Sequence, residues 1–181
     1  MKNMAVALIL CIFISLLGLI SAWVLGYGTI LGVSLVTHIK FAFPTSLIVL
    51  FTHTMTLFYF IGTGKSIKTA VTEYKLDQNF LVQTTALKKK LFPLILLAIL
   101  LMMITFILGG GTDAKVVADW VHGLFGGATL VCSILAFVRE YQAIFATVKL
   151  MNAVGEKLIG NEVIKKASSL DEVSRSTQKN P

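Results

Sequence analysis

Two histidines stand at matching places in the two halves of this chain. His38 follows Thr29 by nine positions, and His122 follows Thr112 by ten. Two imidazole nitrogens from facing helices can bind a haem iron axially, which leaves a six-coordinate centre suited to electron transfer rather than to oxygen binding. The pair therefore predicts a haem b site whose iron ligands are His38 and His122.

Small residues beside the second histidine fit a flat cofactor. Gly123, Gly126 and Gly127 would leave room for a macrocycle that bulky side chains would exclude. Lys40, two residues after the first histidine, is a candidate partner for a haem propionate. A competing interpretation is that the glycines form a small-residue contact between two helices, while the histidines are hydrogen-bonded at the membrane interface.

The segments that precede the two histidines also repeat. Residues 23–29 read WVLGYGT, and residues 106–112, which begin 83 positions later, read FILGGGT. Each copy ends a long apolar run, so we expect two related helical hairpins, over about 4–75 and 88–157. Because the first run ends like the third, we also expect it to be retained rather than removed as a secretory signal.

The composition is typical of a membrane protein. Hydrophobic residues make up 56% of the chain and charged residues 14%, with a mean hydropathy of +0.83, whereas soluble domains contain about 25% charged residues. Four apolar runs, near 4–25, 30–61, 92–108 and 114–137, suit the thickness of a bilayer. Backbone hydrogen bonding in lipid then requires helices. The sequence predicts an all-α integral membrane protein with one four-helix transmembrane domain over 1–160.

The positive charges predict the orientation in the membrane. The net charge of +7 could suggest binding to nucleic acid, but the charges flank the apolar runs, which points to the lipid bilayer as the partner. The positive-inside rule places both termini in the cytoplasm, with a bacterial inner membrane as the expected location. Lysine and arginine are concentrated between the second and third runs (Lys65, Lys68, Lys75, Lys88, Lys89, Lys90) and after the fourth (Arg139, Lys149, Lys157, Lys165, Lys166, Arg175, Lys179).

Segments outside the apolar runs carry patterns of their own. Over 139–154 apolar residues recur every three or four positions, which predicts that the fourth helix extends into the cytoplasm with one apolar stripe. Asp77 is expected to cap a further short helix that runs to Lys90. Residues 161–181 are rich in Ser, Lys, Glu and Asn and are expected to be disordered.

His53 is a third histidine within an apolar run, and it has no histidine counterpart. The position 84 residues later is Phe137. Threonines at 52, 54 and 56 surround it, which predicts an interhelical hydrogen-bonding site, with proton or quinone handling as a second interpretation. The chain contains no HExxH, GxSxG or cysteine-rich metal motif. We therefore expect a non-catalytic subunit rather than an independent enzyme.

A glycine–threonine turn that ends one helix, followed by a histidine high on the next, occurs twice here. This order resembles one half of haem A synthase and, more generally, a four-helix membrane cytochrome b. The resemblance covers both hairpins and implies a haem held by His38 and His122 near the outer face. This chain has the length of one half only. It has Leu35 where the catalytic site of that family has a carboxylate three residues before its histidine, so synthase activity is not expected.

Three classes of function follow from these observations. The leading expectation is a b-type cytochrome-like subunit that holds one haem for electron transport within a larger membrane complex, with a quinone as a further candidate partner. The alternative is a cofactor-free structural or accessory subunit that docks a protein partner through its cytoplasmic helix. The third class is a small transporter in which His53 and its neighbouring threonines line a path.

Overall fold

The structure is a computed structural model that describes the backbone of residues 2–178 and the side chains of residues 3–163. All of its regular elements within these residues are helical. They are α1 (Lys2–Gly28), a short 3-10 turn (Thr29–Leu31), α2 (Leu35–Glu73), α3 (Asn79–Asp113) and α4 (Asp119–Gln178). All four α-helices are long and apolar enough to cross a membrane. The predicted all-α class with four candidate membrane spans is confirmed.

The turns between α1 and α2 and between α3 and α4 are built alike. The side chain of Val33 packs closely against Gly28, so that a Cβ atom at Gly28 would lie 2.9 Å from Val33 Cγ2. A Cβ atom at Gly111 would lie 2.7 Å from Val117 Cγ2. Glycine is required at both places because the chain folds back onto its own helix end. These two turns lie at one end of the bundle, which we call the hairpin end.

The connection from α2 to α3 differs from the expectation. Asp77 Oδ1 accepts a hydrogen bond of 2.8 Å from the backbone N–H of Asn79, so it does lie at a helix start. The prediction of a separate short helix to Lys90 was wrong, because α3 runs without a break from Asn79 through Pro93. Proline removes a single backbone donor, and no glycine or turn residue precedes it to end the helix.

The four helices form a bundle in which α2 and α4 occupy opposite corners. α1 packs beside α2 and α4, and α3 packs beside the same two helices, whereas direct contact between α2 and α4 is sparser. Large apolar side chains also cover much of the outer surface, as a lipid-facing surface requires. The core between the helices includes Val49, Phe60, Ile95, Met102 and Ile144.

The apolar stripe predicted on α4 is partly used within the chain itself. Leu150 and Val154 are buried in a second cluster with Ile67 and Val71 of α2. The long fourth helix is confirmed, and α4 continues past this cluster to Gln178. The disorder expected for 161–181 falls, from residue 164 onward, outside the described side chains and stays a prediction.

Candidate functional site

His38 and His122 face each other across the bundle at its hairpin end. Their ring centroids are 6.3 Å apart and their planes are inclined by 68°. Both side chains are partly buried. A metal ion held by two opposed imidazole nitrogens at about 2 Å each sets the ring centres roughly 6 Å apart. The separation of the two ring centroids is close to this value.

Each histidine ring rests on a glycine of the preceding helix. A Cβ atom at Gly26 would lie 3.1 Å from His38 Cε1, and a Cβ atom at Gly109 would lie 3.1 Å from His122 Cε1. In both cases Nδ1 is the next nearest atom and Nε2 the third. The two rings therefore present the same edge to equivalent backbone positions, and any larger residue would press on them.

A threonine holds the carbonyl group of each of these glycines. Thr29 Oγ1 donates a hydrogen bond of 2.7 Å to the carbonyl oxygen of Gly26, and Thr112 Oγ1 donates one of 2.8 Å to that of Gly109. The glycine–threonine pairs identified in the sequence thus form the last turn beneath each histidine.

The backbone also orients the imidazole rings. His122 Nδ1 lies 3.2 Å from the carbonyl oxygen of Thr105 on α3, to which an Nδ1–H group donates. The carbonyl of Ala22, 83 positions before Thr105, lies beside His38, although Nδ1 of His38 makes no hydrogen bond of ordinary geometry among the described residues. The contact with Thr105 selects the Nδ1–H tautomer of His122 and leaves its Nε2 lone pair free to bind a metal.

The three glycines beside His122 make no close backbone contact with a neighbouring helix. A Cβ atom at any of them would be at ordinary van der Waals distance or farther from its surroundings, so close backbone approach does not explain them. The nearest atoms to the added Cβ at Gly123, Gly126 and Gly127 are Tyr27 Oη at 3.9 Å, Thr105 Cγ2 at 4.0 Å and Trp23 Nε1 at 3.9 Å.

Lys40 lies on another face of α2. It is exposed, and two residues along an α-helix correspond to a rotation of about 200°. Lys40 therefore does not line the space between the two histidine rings. Its contact with a propionate group stays a prediction.

A buried acid–base pair lies deeper in the bundle. His53 Nδ1 is 2.5 Å from Glu140 Oε1, and Thr56 Oγ1 is 3.1 Å from Glu140 Oε2. All three side chains have 0% of their surface exposed. The ring of His53 also stacks on that of Phe137, with centroids 4.5 Å apart. The predicted interhelical hydrogen-bonding site is confirmed, and Ser15 adds to it with a 2.8 Å hydrogen bond to Thr52.

Glu140 was not identified from the sequence because it follows Arg139, at the point where the apolar run appeared to end. A signal was present nonetheless. Glu140 lies 84 positions after Thr56, the same offset that relates the two histidines at the hairpin end. A carboxylate on the face of α4 that meets His53 is the partner that a buried histidine needs.

The described residues contain no group of three or more His, Cys, Asp or Glu side chains that could hold a metal ion. Two histidines alone suit an iron whose other four ligands come from a macrocycle. No protein-family model matches this chain, and no curated protein or solved structure matches it.

Proposed function

We propose that the chain is a b-type cytochrome-like membrane subunit that binds one haem b between α2 and α4 and serves in electron transfer. His38 and His122 would hold the iron. The observation that carries this proposal is their pairing at 6.3 Å across the bundle, each ring resting on an equivalent glycine.

The residues present fit this cofactor. The carbonyl of Thr105 accepts from Nδ1 of His122, which is the usual outer-shell partner of a ligating histidine and leaves Nε2 for the iron. Gly123, Gly126 and Gly127 lie on the side of α4 that faces α1 and α3, and an added Cβ atom at each would make no contact closer than 3.9 Å. Bound haem would supply one-electron redox chemistry, and two histidine ligands would leave no position for oxygen. The protein orients the imidazoles and surrounds them with apolar helices.

The positive charges support an orientation with the hairpin end outside. The lysines of the α2–α3 connection lie at the opposite end of the bundle from His38, as does the basic part of α4. Both termini would then be cytoplasmic, in a bacterial inner membrane. Matched contacts at Gly26 and Gly109 support an origin from two repeated hairpins, related by a two-fold axis along the membrane normal.

Electron transfer through one haem requires partners on both sides of the reaction. The outer position of the histidines suits a quinone in the membrane or a protein subunit at its surface as the donor or acceptor. An accessory subunit that docks through the α4 stripe is less well supported, because Leu150 and Val154 are already covered by α2. We therefore place the chain within a larger membrane complex as its haem-binding subunit.

The direct test is the haem content of the chain purified from cells supplied with a haem precursor. We expect one haem b per chain in the wild type and in His53→Gln, which removes the third histidine of the chain. We expect none in His38→Ala or His122→Ala. A folded wild-type chain without haem, or equal haem content in all four forms, would contradict the proposal.

A further inference from the structure

We propose that His53 and Glu140 form a proton-transfer relay inside the bundle, in which a proton binds at His53 Nε2 and another leaves from Glu140 Oε2. The proposal does not depend on haem. It assigns a function to the acid–base pair. His53, the member of this pair on α2, lies 15 residues after His38, or about 22 Å along the helix.

Burial limits the charge that this pair can hold. Both side chains are 0% exposed within helices apolar enough to cross a membrane, where an unpaired ion is costly. Two arrangements carry no net charge: a neutral imidazole beside a protonated carboxyl group, or an imidazolium beside a carboxylate. They differ only in where one proton lies, so the pair can exchange a proton between its two members without creating net buried charge.

The hydrogen bonds around Glu140 can all be made in the neutral arrangement. Thr56 Oγ1 is 3.0 Å from the carbonyl oxygen of Thr52 and 3.1 Å from Glu140 Oε2, but its hydroxyl group has one proton to donate. A protonated Glu140 donates to Thr56, which then donates to Thr52. His53 Nδ1–H donates to Glu140 Oε1. Each of these groups is then satisfied, and Nε2 keeps a bare lone pair.

Three buried polar atoms lie without a hydrogen-bonding partner among the described residues: His38 Nδ1, His53 Nε2 and Ser133 Oγ. We assign the last two to the proton entrance. Ser133 is one turn before Phe137, which stacks on His53, whereas Glu140 is about one turn after it. Ser133 therefore lies toward the hairpin end, and Glu140 lies on the other side of Phe137.

The transfer step keeps protons and charge in balance. A proton binds the lone pair of His53 Nε2, which forms an N–H bond and an imidazolium. The O–H bond of Glu140 Oε2 breaks, and its proton passes to a water molecule, which carries it away from the pair as hydronium. The carboxylate that remains is paired with the imidazolium. Transfer of the Nδ1 proton to Glu140 Oε1 gives a neutral pair with the imidazole proton on Nε2, so that one proton has entered and one has left. Return to the starting state requires rotation of the carboxyl group and exchange of the imidazole proton.

Other buried polar groups lie along the bundle on both sides of the pair. On α1 the polar residue that faces α2 at this depth is Ser15, whose hydroxyl group is hydrogen-bonded to that of Thr52. The described part of α3 contributes no buried polar side chain at this depth, and its Lys88 lies farther on, with Nζ against Gly64 of α2. Buried hydroxyl groups continue toward the hairpin end at Thr45 and Thr129 and toward the opposite end at Thr63 and Thr147.

The test uses the full chain in lipid vesicles that contain a pH-sensitive dye, with proton movement driven by a potassium gradient and valinomycin. We expect wild-type vesicles to take up protons faster than protein-free vesicles. Glu140→Gln and His53→Gln should reduce the rate to that of protein-free vesicles. Glu156→Gln, the same change at an exposed position of α4, should keep the wild-type rate.

Glu140→Gln should fold, because the amide oxygen still accepts from His53 Nδ1–H. An infrared spectrum provides a second measurement on the wild type alone: we expect the C=O band of a protonated carboxyl group that shifts in deuterium oxide. Wild-type uptake no faster than that of protein-free vesicles, unchanged uptake in Glu140→Gln, or absence of the exchangeable carboxyl band would overturn the relay.

Discussion

The imidazole ring of His53 stacks on the phenyl ring of Phe137, its counterpart 84 positions later, with planes inclined by only 14°. Thr56 and Glu140 have the same offset and are also in contact, as are the two histidines at the hairpin end. Positions of α2 and α4 that are 84 residues apart thus meet along the bundle, as the proposed two-fold relation between the hairpins would require. The acid and the base of the buried pair, Glu140 and His53, are 87 residues apart.

The glycine beneath His122 should control how that histidine is held. In Gly109→Ala the new Cβ would lie 3.1 Å from His122 Cε1, so the ring or the helix must shift by a few tenths of an ångström. We expect lower haem retention during purification. Gly110→Ala is the matched control, because nothing lies within 4 Å of its added Cβ. Equal haem content in the two variants would show that Gly109 does not control how His122 is held.

The space at Gly126 distinguishes a cofactor slot from a helix contact. Gly126→Ala should leave thermal stability in detergent unchanged, because the nearest atom to the new Cβ is 4.0 Å away. Gly126→Leu should fill the space and abolish haem binding while the chain stays helical. If Gly126→Ala already lowers the melting temperature strongly, close packing rather than cofactor space explains this residue.

The acid–base pair should also matter for folding stability. Glu140→Leu leaves Nδ1 of His53 buried without a partner, which should cost about 1–3 kcal/mol of unfolding free energy. In the double variant His53→Phe, Glu140→Leu both polar groups are gone, and much of the loss should be recovered. Thermal unfolding in one detergent compares them. Strictly additive losses would show that the two residues do not interact.

The Ser133→Ala variant should affect proton transfer without lowering stability. Its hydroxyl oxygen is buried without a partner among the described residues, so Ser133→Ala should be neutral or stabilising by up to about 1 kcal/mol. If this hydroxyl group lies on the proton entrance, the same variant should slow proton uptake in vesicles. A variant that is both less stable and unchanged in proton uptake would remove Ser133 from the relay.

The sequence predicted the four helices well because apolar length alone determines a membrane span. α2 continues past the end of its apolar run and is helical to Glu73. The helix boundaries near Asp77 were less predictable. A proline near the start of a span looks like a helix start, yet α3 continues through Pro93 because neighbouring residues supply the remaining backbone bonds.

Two parts of the candidate sites show what sequence patterns can reveal. His38 and His122 could be paired in advance because their flanking residues repeat. Glu140 could not be paired with His53 in this way. The position 84 residues after His53 is Phe137, and Glu140 lies about one helical turn beyond it. That contact depends on which faces of α2 and α4 turn inward, a property of the assembled bundle.

Haem binding by the two histidines can be tested directly by optical spectra of the purified wild-type chain in detergent, oxidised and then reduced with dithionite, beside His122→Ala. We expect a sharp b-type absorption band in the reduced wild type that is lost in the variant. A folded wild-type chain with no such band, or a band that His122→Ala retains unchanged, would contradict it.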